Sequence, residues 1–284
     1  MKNLIKLLSL IIVVMALPAC KKHVVEYNAQ PVAENKAEFQ LHYFVPVTTG
    51  AANNIYRVEV NGKLFADSTN ALSTYNAIPS GGVGRFFTAD AGTTSLKLYK
   101  GGNVLVYDQS CSLASGKQNV FVYDFSKPPV VFNNGFPYPT NLTQNTDSIS
   151  LVKFYNFLYE TAGVTTTLKL QYQYQYTVNI TTGEKSNWIN VGQPVAFGEA
   201  TGWEPVRVIK SIFNSSGYAR VDYRIRVIGA DGTDQGSLKV RNSSGNMVDY
   251  SDFWTTYIGR AAHHVLAGMR AATPVSSVRL FYAR

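Results

Sequence analysis

The sequence is poor in the residues from which active sites are made. Of 284 residues, 2 are cysteine and 4 are histidine, and charged residues make up 15%, against the usual quarter. A membrane-spanning helix needs about 20 apolar residues; the long apolar run here, LLSLIIVVMAL at 7–17, is roughly half that. No G-x-S-x-G, H-E-x-x-H or P-loop pattern occurs. SGGVG at 80–84 is followed by neither a lysine nor a helical pattern, so it is a glycine turn and not a phosphate cradle. Acidic residues number 18, and no pair stands out as acid and base. The formal net charge is +8, but Arg207, Lys210, Arg220, Arg224 and Arg226 are spread along strand-like stretches as solvated faces. No basic cluster argues for nucleic acid. The expectation is a chain that is not an enzyme, with no metal and no cofactor.

What is present begins at the N-terminus. Lys2 and Lys6 precede the apolar run, and Pro18, Ala19 and Cys20 follow it. A charged start, a short apolar stretch and a small residue before the cut make a secretory signal. The ending L-P-A-C resembles a bacterial lipobox, which implies cleavage after Ala19 and a diacylglycerol on the Cys20 thiol. Each buried CH₂ adds about 0.8 kcal/mol of membrane affinity, so two or three acyl chains hold firmly. Lys21 and Lys22 then lie beside lipid head groups. The expected location is the cell envelope, as an outer-membrane lipoprotein, with the periplasmic and surface faces both open. If Cys20 carries lipid, Cys111 has no intrachain partner and reads as a small buried side chain.

Beyond the anchor the chain is rich in Tyr, Thr, Val and Asn, with 18 Tyr and 13% aromatics: a β-forming composition. Residues 20–36 contain Pro31 and no period, and read as a tether. In YRVEV, Tyr56, Val58 and Val60 share one strand face, and Asn61-Gly62 then supplies a type I′ hairpin turn. SLKLYK, Gly101-Gly102 and NVLVYD repeat the device. Residues 37–126 therefore form a first β-sandwich. The proline- and asparagine-rich stretch 127–147 reads as a linker that packs through Phe132, Phe136 and Tyr138. Residues 148–284 form a second sandwich. Its clearest strand, LKLQYQYQYTV, places Leu168, Leu170, Tyr172, Tyr174, Tyr176 and Val178 on one face and Lys169, Gln171, Gln173 and Gln175 on the other. Residues 251–264 read as a loop and strand. The fold class is all-β: two tandem antiparallel β-sandwiches after a lipoprotein signal peptide at 1–19.

Several of these stretches carry a family resemblance. VEVNGKLFADS and GTTSLKLYKGGNVLVYDQSCSLASGKQNVFVYD resemble strand-and-turn motifs of the family called domain of unknown function 4397. SLVKFYNF is similar to that family's first strand, and YIGRAAHHVLAGMRAATPVSSVRLF to its last two. The resemblance implies two tandem copies in a Bacteroidota-type lipoprotein, an immunoglobulin-like sandwich for each, and an insertion near 177–215 in the second. Neither copy has the D-A-P stretch usual after the first strand. The family has no established catalytic function.

Three features remain as site candidates. His263 and His264 are neighbours, and neighbours on a strand face opposite ways, so they do not share a metal; one is expected packed and the other solvated. DGTDQG at 231–236 lacks the spacing and closing Glu of a calcium loop and reads as a hairpin turn. Trp188, Trp203 and Trp254 are the candidate ligand-binding residues, since indole faces stack on sugar rings. The functional expectation is a non-catalytic binding or interaction module, held to a membrane through Cys20 and meeting a protein or glycan partner, with no nucleic acid. The alternatives are a glycan-binding accessory lipoprotein of a polysaccharide-uptake system and a pilin-like surface subunit.

Overall fold

Alternating and β-branched runs separated by glycine turns fold into strands throughout the body of the chain. The computed structural model describes residues 34–80, 82, 84–135 and 147–283. Cys20, the signal sequence, the tether before residue 34, and Phe136 and Tyr138 lie outside the described residues. The first half contributes β1 (Lys36–Tyr43), β2 (Arg57–Val60), β3 (Lys63–Ala66), β4 (Asn76–Ile78), β5 (Phe87–Asp90), β6 (Gly92–Lys100), β7 (Val104–Leu113), β8 (Gly116–Val122) and β9 (Val130–Asn133). The second half contributes β10 (Asp147–Thr161), β11 (Val164–Thr165), β12 (Lys169–Asn179), β13 (Glu184–Lys185), β14 (Ile189–Val195), β15 (Glu204–Ile209) and β16 (Ala219–Ile228), then β17 (Asp234–Ser237), β18 (Lys239–Arg241), β19 (Met247–Asp249), β20 (Ser251–Thr256), β21 (Ala261–Met269) and β22 (Ser277–Tyr282). No α-helix occurs among the described residues.

The fold is all-β, as composition and periodicity predict, and its sheets pack as sandwiches. Sheet I has the order β3-β2-β6-β7, and sheet II the order β4-β1-β8-β9 with β5 also on β1. Sheet III runs β11-β10-β21-β22 with β15 on β10, and sheet IV runs β13-β12-β16-β17 with β14 on β12 and β20 on β16. Strands β18 and β19 form a separate hairpin. Most pairs are antiparallel, but each half has one parallel pair, β1 with β8 and β10 with β21. Sheets II and III thus follow one plan: the first strand of the half lies parallel to a late strand, which pairs in turn with an antiparallel neighbour.

Three apolar layers separate the four sheets. Between sheets I and II lie Phe39, Leu41, Tyr43, Val58, Leu98, Tyr107 and Val120. Between sheets III and IV lie Phe154, Leu158, Tyr172, Val191, Val221, Ile225 and Leu266. The third layer joins the halves. Phe44, just past β1, and Phe121 from sheet II pack with Tyr155, Phe157, Val265 and Phe281 from sheet III. Phe121 stacks on Phe157 at 4.8 Å between ring centroids, and the Tyr159 hydroxyl donates to the Tyr123 carbonyl at 2.8 Å. Residues Glu34–Arg284 accordingly make one unit. Part of the stretch read as a linker is strand: β9 pairs with β8, and Phe132 sits edge-on to Phe121 and Tyr155 in the joining layer.

Burial on both faces explains the strands that do not alternate. All nine residues of β21 are buried, because sheet III is covered by sheet II on one side and sheet IV on the other. The Asn61-Gly62 turn adopts φ of 51° and 73°, as a type I′ hairpin requires. Beyond β6 the connection is longer than the Gly101-Gly102 pair and spans Gly101–Asn103, with Gly102 and Asn103 both at positive φ.

Candidate functional site

The three tryptophans do not form one surface. Trp254 is a core residue, 8% exposed, packed edge-on to His264 at 4.8 Å and beside Tyr172 and Tyr223. It is on β20 at a position that points toward sheet III, so its expected role in ligand stacking is corrected to packing. Trp203 is half-buried, lies over His263 at 4.8 Å and donates its Nε1–H to the Asn134 carbonyl; it caps the junction between the halves. Trp188 sits on the opposite side of sheet IV, under the Arg224 guanidinium at 4.3 Å. The inner sheet and the second core separate Trp188 from Trp203.

The histidine pair departs from expectation in the same way. His263 and His264 do face opposite ways, but neither is solvated: they are 1% and 0% exposed. His263 Nδ1 is 2.8 Å from the Tyr155 hydroxyl in the joining layer. His264 Nδ1 is 2.9 Å from the Tyr172 hydroxyl in the second core. His42 is also fully buried, stacked on Phe121 at 4.2 Å and held by Asn119 Oδ1 at 3.1 Å. Burial pushes His42 and His264 down to about 3 and holds His263 well below the usual histidine range. These imidazoles are neutral at pH 7 and closed to solvent, so they serve packing and not proton exchange with a substrate.

The remaining reactive groups are equally quiet. Cys111 is half-buried on β7 against the first core, and burial pushes its thiol up to about 11, so little thiolate exists near neutral pH. Asp231 accepts from Thr233 in a tight turn, and Asp234 binds Arg226; the two carboxylates have separate partners, as expected of a hairpin turn. No group of three or more His, Cys, Asp or Glu is arranged to hold a metal among the described residues.

Two open surfaces stand out among the described residues. The first is a groove of about 900 Å³ on the first sandwich, between the edges of β3 and β4 and reaching Leu280 and Phe281 of β22. Phe65 and Phe87, edge-on at 5.1 Å, give it an apolar wall; Asp67, Asn70, Asn76 and Arg85 give it polar groups. Leu64 on its rim is 58% exposed. No sequence signal marks this groove, because the segment between β3 and β5 that lines it has no period. The second surface is the outer face of sheet IV. There Asn190, Gln173, Arg224 and Ser251 form one cross-strand row, and Gln175, Asp222 and Phe253 part of the next. The glutamine and arginine alternation of β12 and β16 is visible in the sequence, where it reads only as a solvated face.

No protein-family model matches the chain, and no curated protein does. Solved structures similar to it include a leucine-rich repeat protein from Bacteroides thetaiotaomicron, 11% identical over 83% of this chain and 26% of that one, with a TM-score of 0.25. A candidate cell adhesion protein from Bacteroides fragilis is 9% identical over 87% of this chain and 97% of that one, with a TM-score of 0.26. A candidate adhesin from Bacteroides ovatus is 10% identical over 87% and 96%, with a TM-score of 0.19. The chain spans about a quarter of the leucine-rich repeat protein, and TM-scores at this level support no argument about its function.

Proposed function

We propose that this chain is a lipid-anchored envelope protein whose two fused sandwiches act as a non-catalytic binding module. The observation that carries the reading is the distribution of its side chains. Its three buried histidines are locked in cores, while an open groove with aromatic and amide walls and a flat, aromatic and cationic sheet face meet solvent. Concave sites with apolar walls and a few polar groups bind ligands by shape and hydrogen bonding. The lipobox-like ending at Cys20 supplies the anchor.

Mass spectrometry of the protein from its native host is expected to find acyl chains on Cys20 and no residues before it. An unmodified thiol there removes the anchor from the proposal. The full-length protein incubated with envelope polysaccharides and peptides is expected to retain a ligand without altering it; steady accumulation of a defined product rejects the non-catalytic role. A pilin-like subunit is the second reading, favoured by the two strand edges, β3 and β4, that border the groove, since such edges accept an added strand. Cell-surface polymers containing the chain support it, and a chain extracted only as monomer rejects it.

A further inference from the structure

The outer face of sheet IV carries three arginines in a row along β16, and they are not equivalent. Arg220 Nε donates to Asp222 at 2.8 Å, and Lys185 binds the same carboxylate. Arg226 Nε binds Asp234 at 2.9 Å. Arg224, between them, takes part in none of the ion pairs found among the described residues. It is nevertheless half-buried and held in place. Its guanidinium lies 4.3 Å over the Trp188 ring. Its Nε donates to Gln173 Oε1 at 2.8 Å. Gln173 is itself oriented, because its Nε2 donates to Asn190 Oδ1 at 2.8 Å.

This arrangement fixes the guanidinium plane and occupies its Nε–H, and its two terminal nitrogens enter none of the hydrogen bonds found among the described residues. A planar fork presented this way matches a carboxylate or sulfate. Partial burial and the neighbouring Arg226 hold Arg224 below its ordinary range, with Asp234 opposing them, and a bound anion favours the charged form. Three cations on this face, Lys185, Arg220 and Arg226, share two carboxylates, Asp222 and Asp234, and Arg224 adds a fourth positive charge. The excess charge selects an acidic partner.

The groups around Arg224 select its kind. Asn190, Gln173, Gln175 and Ser251 are neutral amides and a hydroxyl, which suit sugar hydroxyls. Trp188 and Phe253, the latter 47% exposed, lie under the Arg224 and Arg220 guanidiniums at 4.3 and 3.9 Å, so each ring backs a cation and holds it flat on the face. The row from Asn190 to Ser251 crosses four strands, about 14 Å at the usual strand spacing, a span suited to several units of a polymer.

We propose that this face binds an acidic polysaccharide, with Arg224, backed by Trp188, taking a carboxylate or sulfate and the amide row holding the adjoining sugars. The proposal rests on the reading of the chain as a non-catalytic binding module and adds the ligand class. The test titrates the full-length protein with polygalacturonate, following tryptophan fluorescence, with neutral galactan and polyglutamate as comparators. Saturable binding of polygalacturonate is expected, weakened by salt, with no response to galactan. Arg224→Gln is expected to weaken binding about 10- to 100-fold, the usual loss for a charged hydrogen-bonding group. Gln173→Glu, which gives Arg224 an internal carboxylate, is expected to weaken it similarly while leaving the unfolding midpoint unchanged or higher, which separates binding from folding. No binding by the wild type, or equal binding by Arg224→Gln, overturns the inference. Polyglutamate bound as tightly as polygalacturonate overturns it in favour of an acidic protein partner. Assaying reducing ends in the same mixtures separates the two readings: their release rejects the non-catalytic module, whatever the effect of Arg224.

Discussion

Gly268 shows how closely the inner sheet is packed. It lies in β21 at φ 107°, and a Cβ there is placed 2.7 Å from Ser276 Cα and 2.8 Å from the Val275 carbonyl. Both contacts are backbone and do not yield cheaply. Gly268→Ala combines left-handed strain with overpacking, and is expected to cost about 2–5 kcal/mol, read as a lower urea midpoint; an unchanged midpoint contradicts the packing. The buried histidines set the response to acid. Their folded pKa values lie below the ordinary 6.5, with His42 and His264 at about 3, so the unfolded chain binds more protons than the folded one between those values. Stability is then full above pH 6.5 and declines as pH falls toward 3. Denaturant titrations across this range are expected to show that decline, with a slope smaller by about one proton in His42→Gln; equal slopes reject burial of a neutral His42. The burial of both His263 and His264 is not legible from the pair HH, because a strand with one face in water solvates one of two neighbours.

At the level of elements, legibility followed exposure. The β12 stripe was plain in the sequence from Leu170 to Tyr176, and Leu170, Tyr172, Tyr174 and Tyr176 are all buried in the second core, since a strand with one wet face alternates. Val178, at the strand's end, is exposed instead, and Gln171, expected on the outer face, is buried with its amide donating to the Val191 carbonyl. The Asn61-Gly62 hairpin was equally plain, because only a few residues adopt positive φ without strain. Gly62→Val is expected to cost about 1–2 kcal/mol, confined to the β2–β3 end as judged by local amide exchange; protection there equal to wild type contradicts the turn geometry. β10 and β21 gave weaker signals, because two covered faces erase the period. β9 was hidden by the prolines and asparagines around it. The groove and the Arg224 row depend on which strands lie side by side, and sequence order does not state that.

For the whole molecule, the layer joining sheets II and III decides whether the halves behave as two bodies or one. Its centre is Phe121, fully buried and in contact with Phe44, Tyr155, Phe157 and His42. Phe121→Ala is expected to cost about 3–5 kcal/mol. Calorimetry of the wild type is expected to give one transition, and of the variant two, as the sandwiches uncouple. Two transitions in the wild type contradict a shared core. The parallel pairing of β1 with β8 and of β10 with β21 bears on how the chain is made. The opening strand of each half finds its central neighbour only after nearly the whole half has been synthesised, and loop closure of that length is slow. A nascent polypeptide of this design stays open for long after its first strands leave the ribosome, with apolar faces such as that of β1 waiting on partners still to be made.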